Sequence, residues 1–285
     1  MLRIVTDGAV DMPASWQEDF QIDIIPINIR FGEEEYQSGK NLTSKVFYQL
    51  VKIKKMIPKT SLPSPAQIIE FYRTIANKGD TILSIHLASK MSGTFSVVQL
   101  AAKDLLNEFN IYTFDSGAGS AALGFMCREA RQMDREGISV HSILDRLNDT
   151  KKRLAISFTL DTVDFAYMSG RISKLQNVIS SVLKIKPIII LKDGLLMMGE
   201  KVRTRQRSID RVIAIIKEKV GNGLVHVAVV HAADPETADY LVEQVKSELN
   251  VHEIIITELA IPVAANLGPG TVGVIAYPVL DKSNQ

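Results

Sequence analysis

The chain has 285 residues, 46% of them hydrophobic and 23% charged, a globular composition that at this length favours two medium domains over one. Lys and Arg total 33 against 32 acidic residues, a formal net charge of +1, so there is no electrostatic reason to expect a nucleic-acid partner. The single cysteine, Cys127, excludes an internal disulfide and fits a reducing, cytoplasmic compartment. It lies in a helical pattern beside Ala122, Phe125 and Met126, where a small core residue is expected.

The opening MLRIVTDGAVD holds no apolar run of signal-peptide length, and later runs such as IKPIIIL are far too short to span a bilayer. No transmembrane segment is expected. Any membrane contact is then expected to be transient, that of a soluble protein.

Residues 2–6 read as a first strand ending in Asp7 and Gly8, with Asp7 expected to tie down its own loop. Asp11 is expected to cap a short helix entered through Met12 and Pro13. Ile25, Ile27, Ile29 and Phe31 alternate as one half-buried strand does, and Glu33 to Glu35 read as a solvated turn. Thr43 then caps a helix holding Val46, Phe47, Leu50 and Val51, whose end carries Lys52, Lys54 and Lys55. Ser64, Pro65 and Gln67 supply a cap, a proline at the first helical position and a capping-box partner. Thr60 and Ser61 fall just outside that helix, free to offer hydroxyls elsewhere.

Residues 81–87 form a short Ile/Leu/Thr-rich run that suits a buried strand. Val98, Ala101, Ala102, Leu105 and Leu106 recur at helical spacing behind it. Ser89, Ser92, Gly93 and Thr94 lie between, at a helix N-terminus whose unpaired N–H groups and partial positive charge favour an anion. Residues 111–114 make another strand, ending in Asp115 and Ser116 before Gly117, Gly119 and a helix over 120–135. Strand, polar loop and helix thus repeat as in a parallel sheet with helices on both faces. Neither GxGxxG after the first strand nor GxxxxGK[ST] occurs, which disfavours a dinucleotide or P-loop site.

A helix over 140–151 leads to the expected boundary between domains 1–152 and 153–285. Beyond it, strands are expected at 154–159, 187–191, 225–230, 253–259 and 272–276. Helices are expected at 161–167, 208–220 and 235–249. Val178, Ile179, Val182 and Leu183 form a further apolar stripe, and Asp193–Gly194 a hairpin turn. Hairpins mixed with helices point to an α+β layer. The fold class expected is α/β in two domains: an N-terminal parallel sheet with helices, and a C-terminal α+β domain with a mixed or antiparallel sheet. Histidines are few and isolated, so no metal site and no cofactor is expected.

Over nearly its whole length the chain resembles the DegV family of bacterial fatty-acid-binding proteins. The motifs are TSLPSP at 60–65, SKMSGT at 89–94, FDSGAGSAALG at 114–124, MSGRIS at 168–173, KIKPIIILKDG at 184–194 and RTR at 203–205. The resemblance implies a Rossmann-like N-terminal domain, a C-terminal α/β domain and a long-chain fatty acid between them. It puts the carboxylate on Thr60 or Ser61 and on Ser92 with Gly93 and Thr94, and the tail in a tunnel of the C-terminal domain. Candidate walls include Phe158, Phe165, Ile188, Ile190, Met197 and Ile275.

The family usually has a histidine before GPG; here Asn266 stands in AANLGPG, an amide that can donate to a carboxylate but adds no charge. Gly8, Leu62 and Ser169 are further departures. The resemblance also implies a carrier rather than an enzyme, presenting its ligand to a separate ATP-dependent fatty acid kinase. Arg171, Arg203 and Arg205 would then meet the phosphoryl group or the kinase.

Two other functions compete. A serine hydrolase acting on lipid esters would need a base near Ser92, yet no GxSxG surrounds it, and His86, His141, His226, His231 and His252 all sit within or beside predicted elements. A phosphorylated small molecule could instead occupy the same helix end.

Overall fold

A computed structural model describes residues 2–173, 175 and 185–280. It groups the chain into two units, Met1–Asn148 with Ala260–Ala265 and Asp149–Leu259 with Asn266–Gln285. The stripe Val178, Ile179, Val182 and Leu183 lies outside the described residues.

The first unit runs β1 (Leu2–Asp7), α1 (Ala14–Asp19), β2 (Ile22–Ile25), β3 (Asn28–Phe31), β4 (Glu34–Gln37), α2 (Ser44–Lys54) and β5 (Lys59–Ser61). It continues with α3 (Pro65–Ile75), β6 (Thr81–His86), α4 (Thr94–Asp104), β7 (Asn110–Asp115), α5 (Ala121–Arg135) and the start of α6 (Val140–Arg153). Four strands form a parallel sheet in the order β2-β1-β6-β7. Val5, Ile25 and Ile82 from the sheet pack with Ile68 and Tyr72 of α3 and with Val98, Ala101 and Leu105. The spacing of α3 and α4 therefore does what it predicts, turning one apolar stripe of each helix onto the strands. Helix starts also follow the sequence. Thr43 Oγ1 accepts from the Val46 amide, and Ser64 and Gln67 complete a reciprocal capping box.

The expected single strand over 25–31 is two. Pro26 lacks an N–H and interrupts the ladder, so β2 stays in the parallel sheet while β3 joins a separate antiparallel one, β4-β3-β5. Glu34 and Glu35 lie in β4 rather than in a turn, and Glu34 pairs with Lys54 at 2.6 Å. Asp11 does not cap α1, whose N-cap position is Pro13 and which has no side-chain cap. Its buried carboxylate instead accepts from the Ser120 hydroxyl and, at 2.5 Å, from the Ala260 amide.

The second unit contains β8 (Ala155–Thr159), α7 (Asp164–Ser169), β9 (Ile172–Ser173), β10 (Lys186–Lys192), β11 (Leu195–Val202) and α8 (Arg205–Val220). β12 (Val225–His231), α9 (Pro235–Glu248), β13 (Val251–Glu258), α10 (Ile261–Leu267) and β14 (Val272–Pro278) follow, with most of α10 grouping with the first unit. The sheet order is β13-β12-β14-β8-β10-β11-β9. It is mixed: β12–β13 and β9–β11 are parallel and the remaining pairs antiparallel. Asp193 and Gly194 turn the β10–β11 hairpin with φ of +51° and +76°, as the sequence predicts. α8 and α9 cover one face, burying Val212, Ile216, Leu241 and Val245 against Val227, Val229, Val272 and Val274. Among the described residues no helix is long and apolar enough to cross a membrane.

Candidate functional site

In the first unit, two polar motifs far apart in sequence come together. Thr60 and Ser61 belong to β5, opposite Ile29 and Asn28 of β3, and both are half-buried. The next residue, Leu62, reaches across to Gly93: a Cβ added there would lie 2.9 Å from Leu62 Cδ1. Absence of a side chain at Gly93 therefore lets the TSLPSP strand end close on the SKMSGT loop.

Ser92 and Thr94 flank that contact. Their hydroxyls are 2.9 Å apart, and the Thr94 amide donates to Ser92 Oγ at 3.3 Å. Thr94 is fully buried and Ser92 half-buried, so Thr94 holds the Ser92 hydroxyl in place while Ser92 is the one that faces outward. No side chain caps α4 at Gly93 among the described residues, and the first-turn amides point the same way as any helix N-terminus. Hydroxyls and amide dipoles suit a small anion such as a carboxylate.

The loop is fastened from beneath by carboxylates at strand ends. Asp7 accepts from the amides of Ala9 and Leu87, each at 3.0 Å, and from His86 Nδ1 at 3.0 Å. His86 Nε2 is 2.7 Å from Ser84 Oγ, itself 2.7 Å from the Tyr72 hydroxyl. All four side chains are buried. In the tautomer protonated on Nδ1, protons run from Tyr72 to Ser84 to His86 to Asp7. Burial pushes the Tyr72 phenol above its ordinary value, and the Ser84 bond opposes this only in part. Both ring nitrogens of His86 are thus engaged, which leaves it no nitrogen to serve as a base for Ser92. Asp115 repeats the device one strand over, accepting from the Ser89 hydroxyl at 2.5 Å and from the Gly117 amide at 2.9 Å. Asp-Gly and Asp-Ser at strand ends signal these tethers in the sequence; the pairing of Asp7 with His86 has no such signal.

In the second unit, Asn266 is half-buried near the end of α10. The turn after it is fixed by Gly268, whose φ of +85° and an added Cβ 2.8 Å from the Phe165 ring both require glycine. Phe165 packs on that turn, and the Thr271 hydroxyl donates to the carbonyls of Leu267 and Gly268.

The expected wall residues divide between two faces of the sheet. Register aligns Phe158 with Gly273 and Ile189, and Ile275 with Ile156, on one face. Ile188 belongs to the core under α8 and α9, and Ile190, two residues on and opposite Met197, shares that face. Phe158 and Ile275 therefore face away from α8, and Ile188, Ile190 and Met197 towards it.

Of the cations around the α8 start, Arg205 binds Asp234 at 2.8 Å and the Gly270 carbonyl at 2.6 Å. Arg211 is held between Glu200 and Glu218, each at 2.7 Å. Arg211 holds the Glu200 carboxyl below its ordinary value, and Glu200 raises the guanidinium. Arg203 and Arg171 are exposed, Arg171 folding back on the Ser169 carbonyl. Thr204 caps α8 by accepting from the Arg207 amide, which offsets part of the unfavourable placing of cations at that end. No cluster of metal-ligating side chains occurs among the described residues.

Residues 1–279 match the model of the DegV family, which that model describes as uncharacterised proteins. The chain is 31% identical to Protein DegV of Bacillus subtilis over 275 residues, 96% of this chain and 98% of that one. Its fold is similar to the crystal structure of DegV, a fatty acid binding protein from Bacillus subtilis, with a TM-score of 0.87 at 30% identity over 98% and 99% of the two chains. It is also similar to a stearic acid-binding protein from Eubacterium ventriosum, with a TM-score of 0.90 at 25% identity over 98% of each chain. Sequence motifs, sheet orders and matched length agree, and the chain belongs to the DegV family.

Proposed function

We propose that this chain binds a long-chain fatty acid and presents it to a separate ATP-dependent fatty acid kinase, without catalysing a reaction itself. The carboxylate is assigned to Ser92 with Thr60 or Ser61, Thr94 steadying Ser92, and Asn266 as a neutral donor. The contact of Leu62 with Gly93, which brings the two hydroxyl motifs together, carries this reading. Fatty acid binding by relatives that match over nearly the whole chain supports it.

The acyl tail is assigned to the second unit, on the Phe158, Phe165 and Ile275 side. A buried methylene contributes about 0.8 kcal/mol, so about fifteen gross about 12 kcal/mol before the costs of association. A hydrogen bond to a charged group nets about 1.5–3 kcal/mol. The tail therefore sets retention and the hydroxyls set orientation. With no cation assigned to the head group, binding should vary little with pH once the fatty acid is ionised. Exposed Arg171 and Arg203 are the better candidates for the kinase or its phosphoryl group, since Arg205 is occupied by Asp234 and Gly270.

Organic extraction of the purified chain followed by mass spectrometry tests the ligand. Long-chain fatty acid near one per chain, lost in Ser92→Ala/Thr60→Val, is the expected result; a phosphorylated metabolite or no lipid would overturn the reading. For the kinase, acyl phosphate formation should fall with Arg203→Ala, and an unchanged rate would remove Arg203 from that role.

A further inference from the structure

β13 closes one end of the second unit's sheet: β12 bonds it on one side, and no described strand pairs with it on the other. In a parallel ladder alternate residues of a strand bond to the same neighbour. The Leu259 amide donates to the His231 carbonyl, which sets the phase. Glu253, Ile255 and Thr257 turn their backbone groups to β12, and Ile254, Ile256 and Glu258 turn theirs to the open edge.

Proteins that keep such an edge unpaired guard it with lysine, proline, a bulge or a very short strand. β13 is eight residues long, VHEIIITE, with neither lysine nor proline, and its register shift lies at its start, beside Val225 and His226. Three isoleucines follow that shift. Ile254 packs on the core under α8 and α9, whereas Ile256, on the same face, is 43% exposed. A regular, apolar and unguarded edge is a template for another strand.

The order of side chains decides which strand. A two-fold axis pairs an edge antiparallel with its own copy, and outward residues must then oppose outward residues. With the axis at Ile255, Ile254 opposes Ile256 of the copy on both sides, Ile255 opposes itself and Glu253 opposes Thr257. Glu258 comes level with the exposed His252 of the copy, whose ring can donate to it. Glu253 is already engaged by His226 Nδ1 at 2.7 Å, and no carboxylate opposes another. Moving the axis to Glu253 sets that carboxylate against itself. Axes at Ile254, Ile256 or Thr257 set an isoleucine against His252 or Glu258. The strand therefore complements itself in one register.

We propose that the chain forms a two-fold dimer through β13, its sheet continuing antiparallel into that of a second copy about an axis at Ile255. Ile256 is then covered, and the outward amides and carbonyls of Ile254 and Ile256 are paired. A strand from another protein would satisfy the backbone but leaves this self-matching without a reason. The inference does not depend on which ligand the chain carries.

Sedimentation velocity of the full chain over a concentration series tests it. A monomer–dimer equilibrium is expected, and Ile256→Lys should shift it roughly tenfold or more towards monomer. Ile256→Pro should do the same, because the amide it removes points away from β12. Ile255→Cys places two thiols in the non-hydrogen-bonded pair at the axis, where side chains come closest. Mild oxidation should then give a disulfide-linked dimer faster than it does for Glu258→Cys, and the buried Cys127 does not compete. Circular dichroism and thermal midpoints matching the parent would show that the variants fold. A parent that stays monomeric at its highest soluble concentration would overturn the proposal. So would a dimer unchanged by Ile256→Lys, or one cross-linked no faster through Ile255→Cys than through Glu258→Cys. Open-ended oligomers would give the edge to aggregation, and a complex with another protein that Ile256→Lys disrupts, while the chain itself stays monomeric, would give it to that partner; either result also overturns the dimer.

Discussion

His86 Nδ1 lies 3.0 Å from Asp7 Oδ2, and neither side chain is exposed. The pair joins the end of β1 to the end of β6, directly before the loop that carries Ser92. Replacing His86 by Leu would remove a donor from Asp7 and a partner from Ser84. Each buried polar group left unsatisfied costs about 1–3 kcal/mol. His86→Leu should therefore lower the urea midpoint markedly, whereas Tyr72→Phe, which removes one hydroxyl, should cost about 1 kcal/mol. Equal midpoints for parent and His86→Leu would show the network to be energetically idle.

At Gly93 the expected outcome is the reverse: little change in stability and a clear change in binding. Its φ of −72° suits alanine, and the group in the way is a flexible leucine side chain that is 45% exposed. Gly93→Ala should hold stability within about 1 kcal/mol while displacing Leu62 from the hydroxyl motifs. Fluorescent fatty acid displacement should then report weaker binding at an unchanged thermal midpoint.

Asp23 gives a pH signature. Burial raises its carboxyl above the ordinary value, and attraction to Arg3 and Arg131 reverses this only in part. The folded state thus binds this proton more tightly than the unfolded state. Its contribution favours folding below the ordinary carboxyl value of about 4 and is lost as pH rises through the folded value. At neutral pH the half-buried charge is a net cost, so Asp23→Asn should melt higher than the parent. The gap should close as pH falls towards about 3. A gap independent of pH would point to a packing effect.

Cys127 should report unfolding. It is fully buried, and burial pushes its thiol up to about 12, against a smaller opposing effect from Thr6. Thiolate is the reactive form, so disulfide-exchange reagents should label the native chain slowly and the urea-unfolded chain at once. The labelling rate across a urea series should track the circular dichroism transition; fast labelling without urea would contradict the burial.

Much of the architecture could be read from local patterns because local chemistry decides it. Thr43 and Ser64 cap their helices, Asp193–Gly194 turns its hairpin, and Cys127 sits in the core. What escaped the sequence depends on partners distant along the chain. Asp11 reads as a helix cap, yet its acceptors are used by Ser120 and Ala260. The junction of Leu62 with Gly93 needs a fold before it exists. Phe158 and Ile190 look equally apolar in sequence, since both faces of this sheet are buried, and only strand register assigns them to opposite faces.

The segment Ala260–Ala265 completes the first unit although more than a hundred residues of the second precede it in the chain. On the ribosome, Asp11 therefore emerges long before the amide of Ala260 that it will bind. The nascent first unit cannot close fully until synthesis has passed Ala265, and a fragment cut after Asn148 would lack that piece of itself.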